Sequence, residues 1–238
     1  MCHLFPVIVL AIIVNSHFVA ATSKTTQQNL LKIAAANDDF GYQLLHQLEL
    51  KERSNRGANG DPENLFISPF SISTVLTMVL AGANEDTFEQ IKSTLGFNTD
   101  MTESQLYTSF RVLLRQLNNF SSNANNTLEL ANAIALQSEY SLLPSYLRIV
   151  KNRLKAKIFT VNFQKEGKGK IDTILKENPT DDTRMVLLNA LYFKGTWEHS
   201  FSKKFTKDRK FIYGKDKEVK VPMMWQSFEK IKYASLNE

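Results

Sequence analysis

From Met185 to Phe193 nearly every residue is apolar, on both alternating faces. That pattern predicts a strand covered on two sides, inside a large sheet. One amide, Asn189, sits in the middle of it. A buried amide must be hydrogen-bonded or it costs a few kcal/mol, about 1–3 by mutational measures, so polar partners are expected from another part of the chain. The segment Leu65-Phe-Ile-Ser-Pro-Phe-Ser-Ile72 is the candidate. Ser68 suits a helix N-cap, with Pro69 at the first helical position. The helix it opens, through Ile72, Val75, Leu76, Val79 and Leu80 with Met78 on the other side, is apolar almost all round and so reads as buried. Ser68 and Ser71 are therefore expected to start a buried helix and to meet Asn189.

The other segments alternate helical and strand periodicity. Asn37 to Leu50 predicts a helix with Phe40, Leu44, Leu45 and Leu48 on one face and Asp38 or Asp39 as its cap. Lys51 to Asp61 is polar and rich in Gly and Asn, hence a loop. Glu85 to Leu95 is a short helix closed by Gly96. Glu103 to Leu117 carries the stripe Leu106, Phe110, Leu113, Leu114 and Leu117. Leu128 to Leu136 alternates a bulky face, which includes Asn132, with a small one of Ala131, Ala133 and Ala135. Pro144 opens a helix with the stripe Leu147, Val150 and Leu154, and Ala156 to Phe163 is a strand. Later, Phe211–Tyr213 and Val219–Met223 flank a hairpin turn, and Phe228 to Tyr233 begins another strand.

Leu4 to Val14 is a short apolar run broken by Pro6, followed by Ala20 and Ala21. It predicts a secretory signal over residues 1–21, with a domain over 22–238. The run is shorter than the ~20 residues of a membrane span. Cys2, the only cysteine, lies in that signal. A mature chain without cysteine makes no disulfide, thiolate site or cysteine nucleophile. Such a secreted domain depends on a large core.

Few chemistries fit what remains. His46 and His199 are far apart in sequence and lack cysteine neighbours, which excludes a persuasive metal site. No nucleotide-binding, hydrolase or metalloprotease pattern occurs, so neither enzyme activity nor a cofactor is expected. The formal charge of +5 is mildly basic. It favours acidic surfaces such as glycosaminoglycans over a nucleic-acid footprint. Arg148, Lys151 and Lys155 recur at helical spacing beside Arg153 and Lys157, and Lys203, Lys204, Lys207, Arg209 and Lys210 form a second group. Each reads either as a glycosaminoglycan site or as a solvated face, and the solvated face is the commoner outcome. Asn119 and Asn125 begin N-x-S/T sequons in an Asn/Ser loop, as glycosylation acceptors or as an unmodified polar loop.

The ordered series FISPFSI, LGF, NALYFKGTWE and VPMM resembles the serpins, the serine protease inhibitor superfamily, across nearly the whole mature chain. The resemblance implies an α+β fold, helices packed around a large mixed main sheet that opens to accept a loop. It implies an extracellular inhibitor that traps a serine protease, or a cysteine protease, as a suicide substrate. Non-inhibitory binding or transport serpins share these motifs, and an incomplete fragment is a further alternative. By the same resemblance Ser68, Ser71 and Asn189 form the shutter where the central strands part, and Trp197 lies at the breach where the loop first enters; by itself Trp197 reads as a core aromatic. Two features depart from the family pattern. The reactive-site loop and the C-terminal part that carries it do not occur up to Glu238. Between Phe163 and Ile171 the crossing helix, helix F, is replaced by a Gly/Lys tract, a shortfall of ~15 residues or four turns. A skipped exon or an error in the gene model accounts for that gap more simply than a serpin that evolved without the helix.

Overall fold

The computed structural model describes residues 23–56, 65–97, 100–120, 127–163, 180, 182–197, 199–213 and 217–227. The expected signal, the Asn125 sequon, the tract after Phe163, the 214–216 turn and the Phe228–Tyr233 strand lie outside them.

The first helix, α1, spans Lys24–Arg56, far longer than the Asn37–Leu50 expected. The stripe begins earlier, at Leu30, Ile33 and Ala36, and runs on through Phe40. Asp38 and Asp39 are consequently interior residues; the cap is Ser23, whose Oγ accepts from the Thr26 amide at 3.3 Å. Gly41 sits where α1 meets the next helix. A Cβ there would stand 2.9 Å from Cγ of Pro69.

That next helix, α2, spans Pro69–Leu80 and starts as expected, with Ser68 capping and Pro69 at its first position. Its buried face differs. Phe70, Ser73, Thr74, Thr77, Met78 and Leu80 are buried, whereas Ile72 is 36% exposed and Val75, Leu76 and Val79 are half-buried. Two hydroxyls make this possible by bonding back to their own helix, Thr74 to the Phe70 carbonyl and Thr77 to that of Ser73, both at 2.7 Å. So satisfied, they pack like methyl groups and need no external partner.

Helix α3 (Glu85–Thr94) ends at Gly96, whose φ of 71° is the left-handed conformation a helix terminus favours. Helix α4 (Glu103–Phe120) buries Leu106, Phe110, Leu113 and Leu114 as its periodicity predicts. Phe110 stacks on Phe70 at 6.3 Å and meets Phe97 edge-on at 5.7 Å, joining α2, the α3 terminus and α4 in one core. Helix α5 spans Pro144–Asn152.

The main sheet has the order β2-β1-β3, from β1 (Thr127–Gln137), β2 (Ala156–Val161) and β3 (Met185–Lys194). β1 runs parallel to β2 and antiparallel to β3, so the sheet is mixed. The bulky face of β1 is buried at Leu128, Asn132, Ile134 and Leu136. On its small face Ala131 is exposed and Ala133 half-buried, whereas Ala135 is covered by Phe163, Val161 and Val186.

β3 departs most from expectation. Its pattern predicts burial on both faces, yet Met185, Tyr192 and Phe193 are exposed and Asn189 is half-buried. Among the described residues β3 pairs with β1 alone and so forms an edge of the sheet. A separate ribbon of β4 (Lys207–Tyr213) and β5 (Lys217–Met223) follows, also largely exposed. No described helix is long and apolar enough to cross a membrane. Helices around a mixed sheet make the fold α+β.

Candidate functional site

The two serines lie at the start of α2 and Asn189 lies on β3, and these two elements pack against each other. At the start of α2, Ser68 Oγ–H donates to Ser71 Oγ at 2.9 Å, and the Ser71 amide donates to Ser68 Oγ at 3.4 Å. The two serines thus satisfy each other within the helix cap. Asn189 was expected to bond with them. Its bond is instead to Asn132, directly opposite on β1, with Nδ2–H donating to Oδ1 at 2.6 Å. The serine pair and the asparagine pair are separate hydrogen-bonded clusters, each closed by a partner on its own element or on the adjoining strand. A cap serine is well placed to serve the orphan amides of its own helix first.

Asn132 is the residue sequence reasoning undervalued. It is only 4% exposed, and its Nδ2 donates to the Leu154 carbonyl at 2.8 Å. A continuous chain of hydrogen bonds therefore runs from β3, through β1, to the junction between α5 and β2. The signal was present in the pattern: Asn132, like Asn189, is an amide on the bulky face of an apolar strand. Its pairing with Asn189 needed the register, which no local pattern specifies. No side chain in either cluster is ionisable, so neither has a titration of its own.

Trp197 lies three residues past β3 and is 64% exposed, not a core aromatic. Its ring meets Phe201 edge-on at 5.3 Å. The neighbouring end of β3 is likewise exposed at Tyr192 and Phe193. Asn119 is exposed in the last turn of α4, beside Asn118, whose Oδ1 accepts from the Leu130 amide at 3.3 Å.

Arg148 and Lys151 are exposed on α5, and Lys155, also exposed, stands beyond the end of that helix. Arg153 turns inward and donates to Thr108 Oγ1 on α4 at 3.2 Å. The second basic group is solvated on the Lys203–Phe205 turn and β4, with Lys210 paired to Glu218 at 2.8 Å. His46 and His199 are both exposed. Among the described residues no cluster of His, Cys, Asp or Glu could hold a metal ion.

The chain matches the family model described as Serpin (serine protease inhibitor) over residues 35–238. It is 35% identical over 227 residues to Iripin-8 of Ixodes ricinus, covering 87% of this chain and 54% of that protein. It is 32% identical over 227 residues to corticosteroid-binding globulin of Bos taurus, covering 89% of this chain and 53% of that one. Among solved structures, cleaved kallistatin complexed with heparin superposes with a TM-score of 0.70 at 31% identity, covering 82% of this chain and 58% of that one. The chain thus spans about half the length of the curated relatives it matches.

Proposed function

Because this chain belongs to the serpin family, matching it over residues 35–238, we propose that it is the N-terminal part of a secreted inhibitor that traps an extracellular serine protease, or a cysteine protease, as a suicide substrate. The observation that carries the proposal is the edge of β3. Among the described residues its backbone pairs with β1 on one side only, while its side chains are apolar on both faces. Such a strand is written for a neighbour on its other side. In the proposed mechanism the protease cleaves a bait loop and forms an acyl-enzyme. The loop then enters the main sheet as an added strand, and the sheet must part to admit it.

In this reading Ser68, Ser71 and Asn189 form the shutter, with α2 as the support over which β3 moves, and Trp197 marks the breach. A signal over 1–21 and glycosylation at Asn119 and Asn125 suit a secreted glycoprotein. The exposed Arg148, Lys151 and Lys155 suit a glycosaminoglycan, and the likeness to a heparin-complexed kallistatin supports that partner. No nucleic-acid partner is proposed.

The test uses the full-length protein, read from the transcript past Glu238. Incubation with trypsin-, chymotrypsin- and elastase-like enzymes and a cysteine protease should give an SDS-stable complex with at least one. The likeness to corticosteroid-binding globulin favours a second reading, a carrier of a small hydrophobic ligand. Cleavage of the loop by every protease without a stable complex, together with saturable steroid binding, would select that reading instead.

A further inference from the structure

The amide chain that ends at Asn189 begins at a strained residue. Lys155 has φ of 57°, in the left-handed region that non-glycine residues seldom occupy. It is the sole residue between Leu154 and the first residue of β2, Ala156. Leu154 is fully buried, and its two peptide groups face different elements. Its amide donates back into α5, to the Ile149 carbonyl at 3.1 Å. Its carbonyl accepts from Asn132 Nδ2 at 2.8 Å. Ala156, two residues further, is the register partner of Asn132 itself. The chain therefore passes from the end of α5 at Asn152 to the parallel strand at Ala156 in three residues, and the left-handed backbone of Lys155, the last of them, makes the turn.

The carbonyl at this point imposes a direction. A backbone carbonyl only accepts, so the side chain facing it must present its NH2 group. Asn132 then has only its Oδ1 to offer β3, and Asn189 must meet that oxygen with its own NH2, as it does at 2.6 Å. Without the Leu154 carbonyl, the two amides could pair equally well in the opposite sense. The carbonyl thus selects one of two orientations, and Asn189 keeps Oδ1 as the acceptor for any further partner.

We propose that Lys155 is a positioning residue. Its left-handed backbone aims the Leu154 carbonyl at Asn132, and that carbonyl sets the direction of the Asn132–Asn189 pair. The lysine side chain is not the active part. The α5–β2 junction thereby controls which hydrogen-bonding group β3 presents at the point where the sheet is proposed to part. That consequence rests on the serpin reading above; the geometry and its test do not.

The test is the exchange of the Asn189 side-chain amide protons with water, followed by NMR in full-length protein with 15N-labelled asparagine and assigned with Asn189→Ala. Lys155→Gly, Lys155→Ala and Lys155→Val all remove the same charge but differ in tolerance of positive φ. Lys155→Gly should leave exchange within about twofold of wild type, since glycine holds the turn without strain. Lys155→Val should speed exchange about tenfold, because a β-branched residue resists this conformation, with Lys155→Ala between them. If Lys155→Val does not fold, the Ala and Gly variants alone decide the question. Equal exchange in Lys155→Ala and Lys155→Gly would overturn the proposal. So would an effect of Lys155→Gly as large as that of Lys155→Val, since the side chain would then be responsible. A failure to inhibit any protease would leave the exchange result intact.

Discussion

The helical region and the region from β3 onward are both rich in apolar residues but differ in what they do with them. α1 to α4 close around Phe70, Phe97 and Phe110, all nearly or fully buried. From β3 onward, Tyr192, Phe193, Trp197, Phe211 and Ile212 are exposed. Apolar content therefore does not report burial; the presence of a facing element does. Helices bring facing elements from nearby in the chain, as α2 and α4 do for each other. A strand in the middle of a large sheet needs partners from far away, and among the described residues β3 has β1 as its one strand neighbour and α2 packed against it.

The contrast is broken most directly in the closed half. Phe110→Ala removes a ring that joins two others, from a site with no exposure. It should cost ~3–5 kcal/mol, read as a lowered urea midpoint of the full-length protein. A loss below ~1 kcal/mol would mean that the three-ring core is not a close-packed unit.

The two asparagines lie on either side of the divide. Asn132 is buried and bonded twice; Asn189 is half-buried and bonded once among the described residues. Asn132→Ala strands both the Leu154 carbonyl and the Asn189 amide, and should cost ~1–3 kcal/mol. In the 238-residue chain Asn189→Ala should cost less, since water reaches that site. In the full-length protein the proposed shutter role adds a kinetic effect. Asn189→Ala should form loop-sheet polymers or an inserted inactive form on mild warming, and Lys207→Ala, on an exposed strand, should not. Native gels after graded heating separate the three proteins. Asn189→Ala behaving as wild type would reduce Asn189 to an ordinary amide.

The open half should show itself through association rather than stability. Expressed as these 238 residues, the chain presents an apolar edge at β3 and apolar rings on β4, a template for pairing with other copies. Light scattering should find oligomers. Phe211→Ser with Ile212→Thr should reduce them while shifting the unfolding midpoint by no more than ~0.5 kcal/mol. A monomeric, cooperatively melting parent chain would contradict this.

These differences also explain what was legible in the sequence. α3 and α4 could be read nearly residue by residue, and so could the start of α5, because a 3.6-residue stripe and a terminal Gly or Pro are local signals; Leu154, read as part of the α5 stripe, lies beyond the helix end at Asn152. α1 was cut short because Asp38 and Asp39 look like a cap; only the continuation of the stripe through Leu30 and Ile33 shows otherwise. α2 reads as apolar almost all round and therefore buried, yet Ile72 is exposed while Thr74 and Thr77 are buried, their hydroxyls bonded to their own helix. Of the site, the cap at Ser68 was legible, and so was the demand that Asn189 be bonded. Its partner was not, because cross-strand register depends on two distant segments at once.

An effect confined to alkaline pH tests whether the closed half also controls behaviour there. Tyr107 is buried on α4, with no described protein partner for its hydroxyl. Burial, and secondarily the charge of Glu103, push its ionisation well above the ordinary tyrosine range. Burial likewise raises Tyr146. The sign follows directly. Above about pH 10 an unfolded chain loses the phenolic proton while the folded one keeps it, so stability is constant below that pH and falls above it. For one such group the fall is about 1.4 kcal/mol per pH unit until the folded pKa is reached. Tyr107→Phe removes that sensitivity together with a buried hydroxyl, so its stability at pH 8 should match wild type or exceed it by up to ~1 kcal/mol. Urea midpoints of both proteins at pH 8 and pH 11 make the comparison, and taking their difference cancels the lysines that titrate in the same window. The variant should lose less on going to pH 11. An equal loss would show that Tyr107 ionises as readily folded as unfolded, and that the packing around α4 is wetter than its burial implies.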